Sequence, residues 1–419
     1  MPKEILHKNY CDKAEKIRQW FASKTLEKGF PIYSSYDIRD SGFKISNVDA
    51  NIFPAGFNNI CPTDKESSIE IMQEFLDGHY GVKAQKILLI TEEHTQNPHY
   101  WENVATIKNL LEQAGRQVQI GFPRALEAPL TMTSTTGIQI PVLSGALDSQ
   151  EVLSFKPDLV ISNNDFSEAH AGWAEKLNLP MNPPRELGWY QRKKSRYFHH
   201  YNLLVEEFSE LCGIDPFTLN VATEAFTEFD VAEEGSRKLL AKKVDLMIER
   251  LQKTYSAKGI PEKPFVFVKN NSGTYGLAVI RVGSGSEVLE WNYKSKKKMK
   301  AAKGGRDVEE VIIQEGISSR IQADGASAEP VIYMIGCQLA GGFLRTHAEK
   351  NSTESLNSPG AVYKRLCVSD LNVSVEGSPL ENVYGWSARL GLLAISEEAK
   401  EMGVDFRGFQ ASPCNHSLV

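Results

Sequence analysis

The chain has 419 residues, 41% hydrophobic and 24% charged, which suits a globular protein of two or three domains and excludes a disordered one. Its formal net charge of −6 argues against a nucleic-acid partner, which calls for a basic face. No run approaches the ~18 apolar residues of a membrane span, and the charged N-terminus MPKEILHKNYCDKAEKIRQWF lacks the apolar segment of a secretory signal, so a cytoplasmic protein without a membrane partner is expected.

Residues 3–28 carry apolar side chains at helical spacing and are predicted helical. Residues 33–62 (YSSYDIRDSGFKISNVDANIFPAGFNNICP) mix charges and asparagines with glycine, proline and aromatics and show no clean period. Long irregular stretches inside a domain are uncommon and often functional, so this one is predicted to be a substrate-binding loop. A structured loop with surface charges is the plainer reading. Residues 86–91 (KILLIT) read as a buried parallel strand, 100–114 as a helix closed by Gly115, and 118–122 as a second strand. Residues 158–162 (DLVIS) form another apolar run, tipped by Asn163, Asn164 and Asp165. Strand, helix, strand, strand implies a parallel α/β unit, and polar residues at the ends of such strands are expected to face a ligand crevice.

The prolines of 180–184 (PMNPP) mark the predicted boundary between domains 1–180 and 181–419. Helical patterns follow at 201–211 and 230–255. Strands are predicted at 265–269, 277–282, 311–315, 331–335 and 338–345, then a helix over 381–402 ending before Gly403, and a short terminal strand at 404–410.

The chemistry concentrates in residues 264–281 (PFVFVKNNSGTYGLAVIR). Lys269 ends a buried strand and puts a fixed cation at the sheet edge. Ser272, Gly273, Thr274, Tyr275 and Gly276 then form a loop whose amides can approach an anion closely. The pair suits a polyphosphate. It is not a Walker A loop, because no G-K-[ST] and no helix follow. Alone, the segment reads more simply as a β-hairpin with a glycine turn. Further on, 311–316 (VIIQEG) is a buried strand ending in Gln314 and Glu315, and an adenine amine needs such an acceptor. Two strands around Gly336 then lead to Arg345, His347, Glu349, Asn351, Glu354 and Asn357.

A lysine-ended strand, glycine loop, Gln-Glu strand, and hairpin ending in arginine before an asparagine–glycine loop resembles the ATP-grasp superfamily, most closely its glutathione-synthetase-like branch. Met181-Asn182-Pro183-Pro184 and Gln191-Arg192-Lys193-Lys194 agree with the junction such chains carry. The motifs NIFPAGFNNIC, VKNNSGTYGL, IQEGI, AEPVIYMI, GGFLRTH and LNSPG resemble the less common proteobacterial (acidithiobacillus-like) type of glutamate–cysteine ligase across almost the whole chain.

The resemblance implies an α/β fold: a Rossmann-like N-terminal domain, then an ATP-grasp domain with mixed and antiparallel sheets. It implies ATP-dependent joining of the glutamate γ-carboxyl to cysteine through an acyl phosphate, with ATP and Mg2+ as cofactors and small-molecule partners. A homo-oligomer is compatible with it. Lys269, Ser272–Gly276, Gln314 and Glu315 would bind ATP, and Arg345 would face the transferred phosphoryl group. Arg39, Lys44, Asn58, Asn59 and Asn357 are candidate substrate contacts, with Asp37 as the anion facing an ammonium. The superfamily's Glu-x-Asn metal motif is missing, so Glu329, Glu354, Asp405 and Asn415 are the candidate metal ligands, with Glu349 beside them. The missing motif keeps two alternatives open: another carboxylate–amine ligase, or a nucleotide-binding protein without catalysis.

Other features read more plainly. The basic run at 294–303 (KSKKKMKAAK) is expected to be a solvated loop near the triphosphate, acting as a lid. His94, His99, His199 and His200 show metal-like spacing only superficially and are expected at the surface. The six cysteines are scattered with no C-x-x-C pair, so reduced thiols are expected, with neither a zinc site nor a disulfide framework.

Overall fold

The computed structural model describes residues 2–26, 28–81, 84–93, 95–166, 171–189, 191–273, 277–300, 308–367, 372–375, 378–381, 383–411 and 414. The helical pattern over 3–28 becomes two helices, α1 (Pro2–Asp12) and α2 (Ala14–Thr25), separated at Lys13. Of the stretch expected to be an irregular loop, residues 33–51 are a hairpin instead, and 52–61 stay irregular around a short 3-10 turn at Phe57–Asn59. Strands β1 (Tyr33–Asp40) and β2 (Ile45–Asn51) flank a turn at Gly42, whose φ of +82° suits glycine, and α3 (Pro62–Tyr80) follows. Most of β1 is buried on both faces, so it shows no polar–apolar alternation to betray a strand.

The predicted parallel unit comprises β3 (Lys86–Ile90), α4 (Pro98–Gln113), β4 (Gln117–Phe122), β5 (Leu130–Thr133), β6 (Gln139–Ser144), α5 (Gln150–Phe155), β7 (Leu159–Ser162), α6 (Ala171–Lys176) and β8 (Met181–Asn182). Its sheet order is β5-β6-β4-β3-β7-β8, with only the edge pair β5–β6 antiparallel. The apolar β3 sits inside it, as a strand covered on both faces must. The side-chain amides of Asn163 and Asn164 are turned to the backbone: Asn163 donates to the Pro54 carbonyl at 3.0 Å and Asn164 to that of Thr91 at 3.2 Å.

The next segment is α7 (Lys194–Cys212), β9 (Thr223–Phe226), α8 (Glu234–Ala257), β10 (Val266–Asn270), β11 (Val279–Val282), α9 (Gly285–Leu289), α10 (Tyr293–Met299) and β12 (Val311–Glu315). Its strands form an antiparallel sheet, β11-β10-β12-β9, with α8 packed on it through Leu240, Val244 and Met247. The first part of the basic run is therefore helical, capped where Asn292 accepts from the Ser295 amide. Residues 301–307 lie outside the described residues.

The chain ends with β13 (Gln322–Ala323), β14 (Ala326–Ile335), β15 (Gln338–His347), β16 (Val362–Leu366), β17 (Asn372–Val375), β18 (Ser378–Glu381) and α11 (Val383–Glu401). A six-stranded sheet runs β16-β15-β14-β1-β2, with β13 beside β14. It takes strands from both sides of Pro180, and the core joining Tyr36, Ile38, Ile332 and Met334 to α7 and α11 spans the same boundary. The buried Arg192–Glu398 ion pair, at 2.7 Å, fastens the 191–194 run to α11.

Two expectations fail at the C-terminus. Residues 404–410 are irregular around a turn at 407–408, and Phe409 stacks on His79 with ring centroids 4.4 Å apart. The cysteines are not all reduced: Cys337 and Cys414 form a disulfide across a sequence separation of 77. No local spacing signals it, because the fold brings the β14–β15 turn to the tail.

Candidate active site

Strand alternation sends every second side chain of the six-stranded sheet to one face. Ser35, Asp37 and Arg39 share that face of β1, and register sets Asp49 and Asn51 of β2 opposite Asp37 and Ser35. On the other side, Val331 and Tyr333 of β14 stand opposite Asp37 and Ser35, and Glu329 pairs with Arg345 of β15. The four-stranded sheet presents Phe267, Lys269, Val279, Gln314 and Glu315 to the same space. Side chains from both sheets, including Asp37, Arg39, Asp49 and Glu329, line one cavity. A second cavity is lined by Ser35, Asn51, Asn59, Trp189, Tyr333, Phe343, Arg345 and Tyr363. Asp37, Asp49, Gly273 and Asn357 line both.

Four cations stand against carboxylates and amides here. Arg345 donates to Asp37 at 2.7 Å and Glu329 at 2.8 Å. Arg39 pairs with Glu329 at 2.5 Å and donates to the Ser352 and Glu354 carbonyls. Lys194, from the start of α7, pairs with Asp49. Lys269 donates to Gln314 Oε1 at 2.6 Å and to the Val48 carbonyl at 3.2 Å. With Glu315 also on the wall, the four cations meet four carboxylates, and Lys44, paired with Glu315 from outside the cavities, leaves one positive charge in excess.

The ionisation equilibria follow from this packing. Burial pushes the Lys269 ammonium down to about 8, against the pull of Asp49. Burial also works against the charge on Arg345, but Asp37 and Glu329 outweigh it and hold its pKa above the ordinary value. Burial pushes Asp37 up despite Arg345, whereas for Asp49 the attraction of Lys194 and Lys269 overcomes burial and lowers it.

Of the residues singled out from the sequence, Lys269, Gly273, Gln314, Glu315, Arg39, Glu329 and Asn357 line the first cavity, and Arg345, Asn59, Gly273 and Asn357 the second. Ser272 lines neither; its hydroxyl donates to the Arg192 carbonyl and ties the glycine loop to the α7 entry. Lys44 also lines neither. It is 1% exposed, bridges to Glu315 at 2.7 Å and lies over the Phe217 ring, so its cation is spent on holding Glu315. Asn58 Nδ2 donates to Asn59. Glu354 pairs with Lys350 and accepts the Asn351 amide, outside both cavities. Asp405 lines a separate surface pocket with Ala174 and Arg407, away from the other candidates. Thr274, Tyr275, Gly276, Asn415 and His94 lie outside the described residues. Asp49, Lys194, Trp189, Tyr333 and Tyr363 escaped the sequence reading; a strand assignment for 45–51 would have put Asp49 beside Asp37.

The sequence profile of the Glutamate-cysteine ligase family matches residues 7–399. The chain belongs to the glutamate–cysteine ligase family. A protein from Methylobacillus flagellatus KT, provisionally named a gamma-glutamylcysteine synthetase, is 33% identical with a TM-score of 0.81, over 94% of this chain and 96% of its own. Two remoter structures are D-alanyl-alanine synthetase A from Vibrio cholerae O1 and a glutathione synthetase-like effector from Globodera pallida. Each is 12% identical with a TM-score of 0.33, covering 77% and 87% of this chain and 82% and 84% of their own, too weak to bear on the fold. No curated protein matches the chain.

This glutamate–cysteine ligase forms γ-glutamylcysteine, the first step of glutathione biosynthesis, and its family membership makes ligation ATP-dependent. Among the described residues, no helix is long and apolar enough to cross a membrane.

Proposed function

We propose that the cavity between the two antiparallel sheets takes ATP and that the adjoining one takes the amino acids. The observation that carries this reading is the shared wall of Asp37, Asp49, Gly273 and Asn357, which lets the phosphates at one end and a carboxylate at the other meet. Phe267, Leu277, Val279 and Ile317 supply an apolar end for adenine, while Lys269 and Lys194 supply the cationic end. Arg345 lies in the amino-acid cavity, where its planar fork suits a glutamyl carboxylate and the acyl phosphate made from it. Catalysis is then positioning and charge neutralisation. The site fits Mg2+, a hard ion that takes oxygen ligands: the carboxylates of Asp37, Asp49 and Glu329 line the nucleotide cavity and would hold it. When bound, the ion offsets phosphate charge.

Phosphate release measured with ATP, Mg2+ and paired amino acids tests the reaction. Turnover is expected with glutamate plus cysteine, and turnover only with a different amine would overturn the substrate assignment.

Lys269 gives the nucleotide site a pH dependence. With its pKa near 8 in the free enzyme, the ammonium is lost as pH rises through that value, while bound phosphates favour the charged form. ATP affinity is therefore expected to fall above pH 8, and binding at pH 8.5 to take up protons. Calorimetry in buffers of different ionisation enthalpy measures that uptake; none in the wild type would exclude Lys269 from the phosphates.

A further inference from the structure

We propose that Cys61, Asp64 and Cys367 form a binding site for a soft divalent cation of the Zn2+ class, separate from the Mg2+ site of the reaction. The two sulfurs and an Asp64 oxygen all lie within 4.8 Å of one another. Ligands about 2.3 Å from a common centre in tetrahedral array stand roughly 3.7 Å apart, so closing on an ion takes movements of about an ångström or less. The three side chains are 2%, 4% and 3% exposed, which removes them from water and raises the value of a common ion.

The local structure is built around these groups. Cys61 is the N-cap of the 19-residue α3, and Asp64 lies in its first turn, three residues on. Cys367 follows the last residue of β16, which pairs with β15 through Leu366 and Gly342. The Cys61 and Cys367 thiols lie in hydrogen-bonding contact with each other. Arg365 donates from Nε to the Cys367 sulfur at 2.7 Å. A guanidinium donor to sulfur is the kind of outer contact that orients a thiolate ligand in a metal site.

The charges balance. Two thiolates and one carboxylate carry three negative charges; a divalent cation and the Arg365 guanidinium return three positive ones. Sulfur ligands select a soft ion over Mg2+, so this site does not compete with the oxygen donors around ATP. The exposed Arg365 marks a short path from solvent. An ion here would pin the start of α3 to the end of β16. Asn59, two residues before Cys61, and Tyr363, four before Cys367, both line the amino-acid cavity, so the clamp would fix two of its walls. Cys61 and Cys367 lie 306 residues apart in the chain, which is why no spacing motif announces them.

The test is Zn2+ titration of reduced, chelator-treated full-length enzyme against a chromophoric competitor, with Co2+ as a spectroscopic substitute. One equivalent is expected to bind, and Co2+ should give a sulfur-to-metal charge-transfer band. Cys61→Ser and Cys367→Ser should each weaken binding by about 100-fold or more, Asp64→Asn by about 10-fold, and Cys11→Ser not at all. Should a cysteine variant fail to fold, the wild-type titration and Asp64→Asn still decide. No uptake by the reduced wild type, or uptake unchanged in folded Cys61→Ser and Cys367→Ser, overturns the proposal. So does a Cys61–Cys367 disulfide after mild oxidation in an enzyme that takes up no Zn2+, which would make the two a redox pair.

Discussion

Arg345→Ala is expected to lower kcat by about 10³-fold, the scale on which removing one fixed donor to a developing oxyanion acts. It should also reduce stability by about 3 kcal/mol, because buried Asp37 would lose its cation while Glu329 keeps Arg39 alone. Arg345→Lys separates the two effects. It keeps the charge, so urea unfolding should recover much of the stability, but it lacks the planar fork that reaches both carboxylates, so kcat should stay low. ATP affinity measured by calorimetry should change little in either variant, since Arg345 lines the amino-acid cavity and not the nucleotide one. A folded Arg345→Lys enzyme with full kcat would remove Arg345 from the chemistry.

Lys269→Ala should have the opposite balance. A hydrogen bond between charged groups contributes about 1.5–3 kcal/mol, so ATP binding should weaken by about 10- to 150-fold. Stability should hold, because the lysine is 9% exposed and burial already disfavours its charge. Its side chain is held by Gln314 and the Val48 carbonyl rather than by a direct ion pair, so its loss strands no buried carboxylate. Calorimetric ATP titration of the folded variant measures this, and an unchanged affinity would count heavily against the nucleotide cavity. The two substitutions therefore divide the site: one acts on kcat and folding, the other on nucleotide binding.

Much of this site could be read locally. The lysine ending β10, the Gln-Glu end of β12 and the arginine near the end of β15 stand out because each breaks an apolar run at a strand end. The parallel unit was equally legible, since KILLIT and DLVIS each carry an unbroken apolar centre and Gly115, with φ of +84°, closes the helix between β3 and β4. The 33–62 stretch was not. Its strands are buried on both faces, one packed on α11 and the other turned to a polar cavity, so the alternation that marks a half-buried strand is absent. With that hairpin hidden, Asp49 had no visible relation to Asp37. Lys44 passed for a substrate contact because nothing local connects it to Glu315, 271 positions away.

The surroundings of Asp405 and of the cysteines were illegible for the same reason. A carboxylate near the end of the chain is a fair candidate for the superfamily's metal position, but α11 is followed by turns packed on α3, and Asp405 goes with them to another surface. The six cysteines, judged by spacing, read as reduced thiols; folded, two form a disulfide and two others share a corner with Asp64.

The sequence by itself determined most of the elements, the family, and the chemical character of three strand ends, because periodicity and residue type act over a few residues. Only the tertiary structure decided which carboxylates meet which cations. The pairing of β1 with β14 and the docking of the second sheet bury side chains far apart in the chain, and the energy of a buried charge depends on neighbours that no local pattern names.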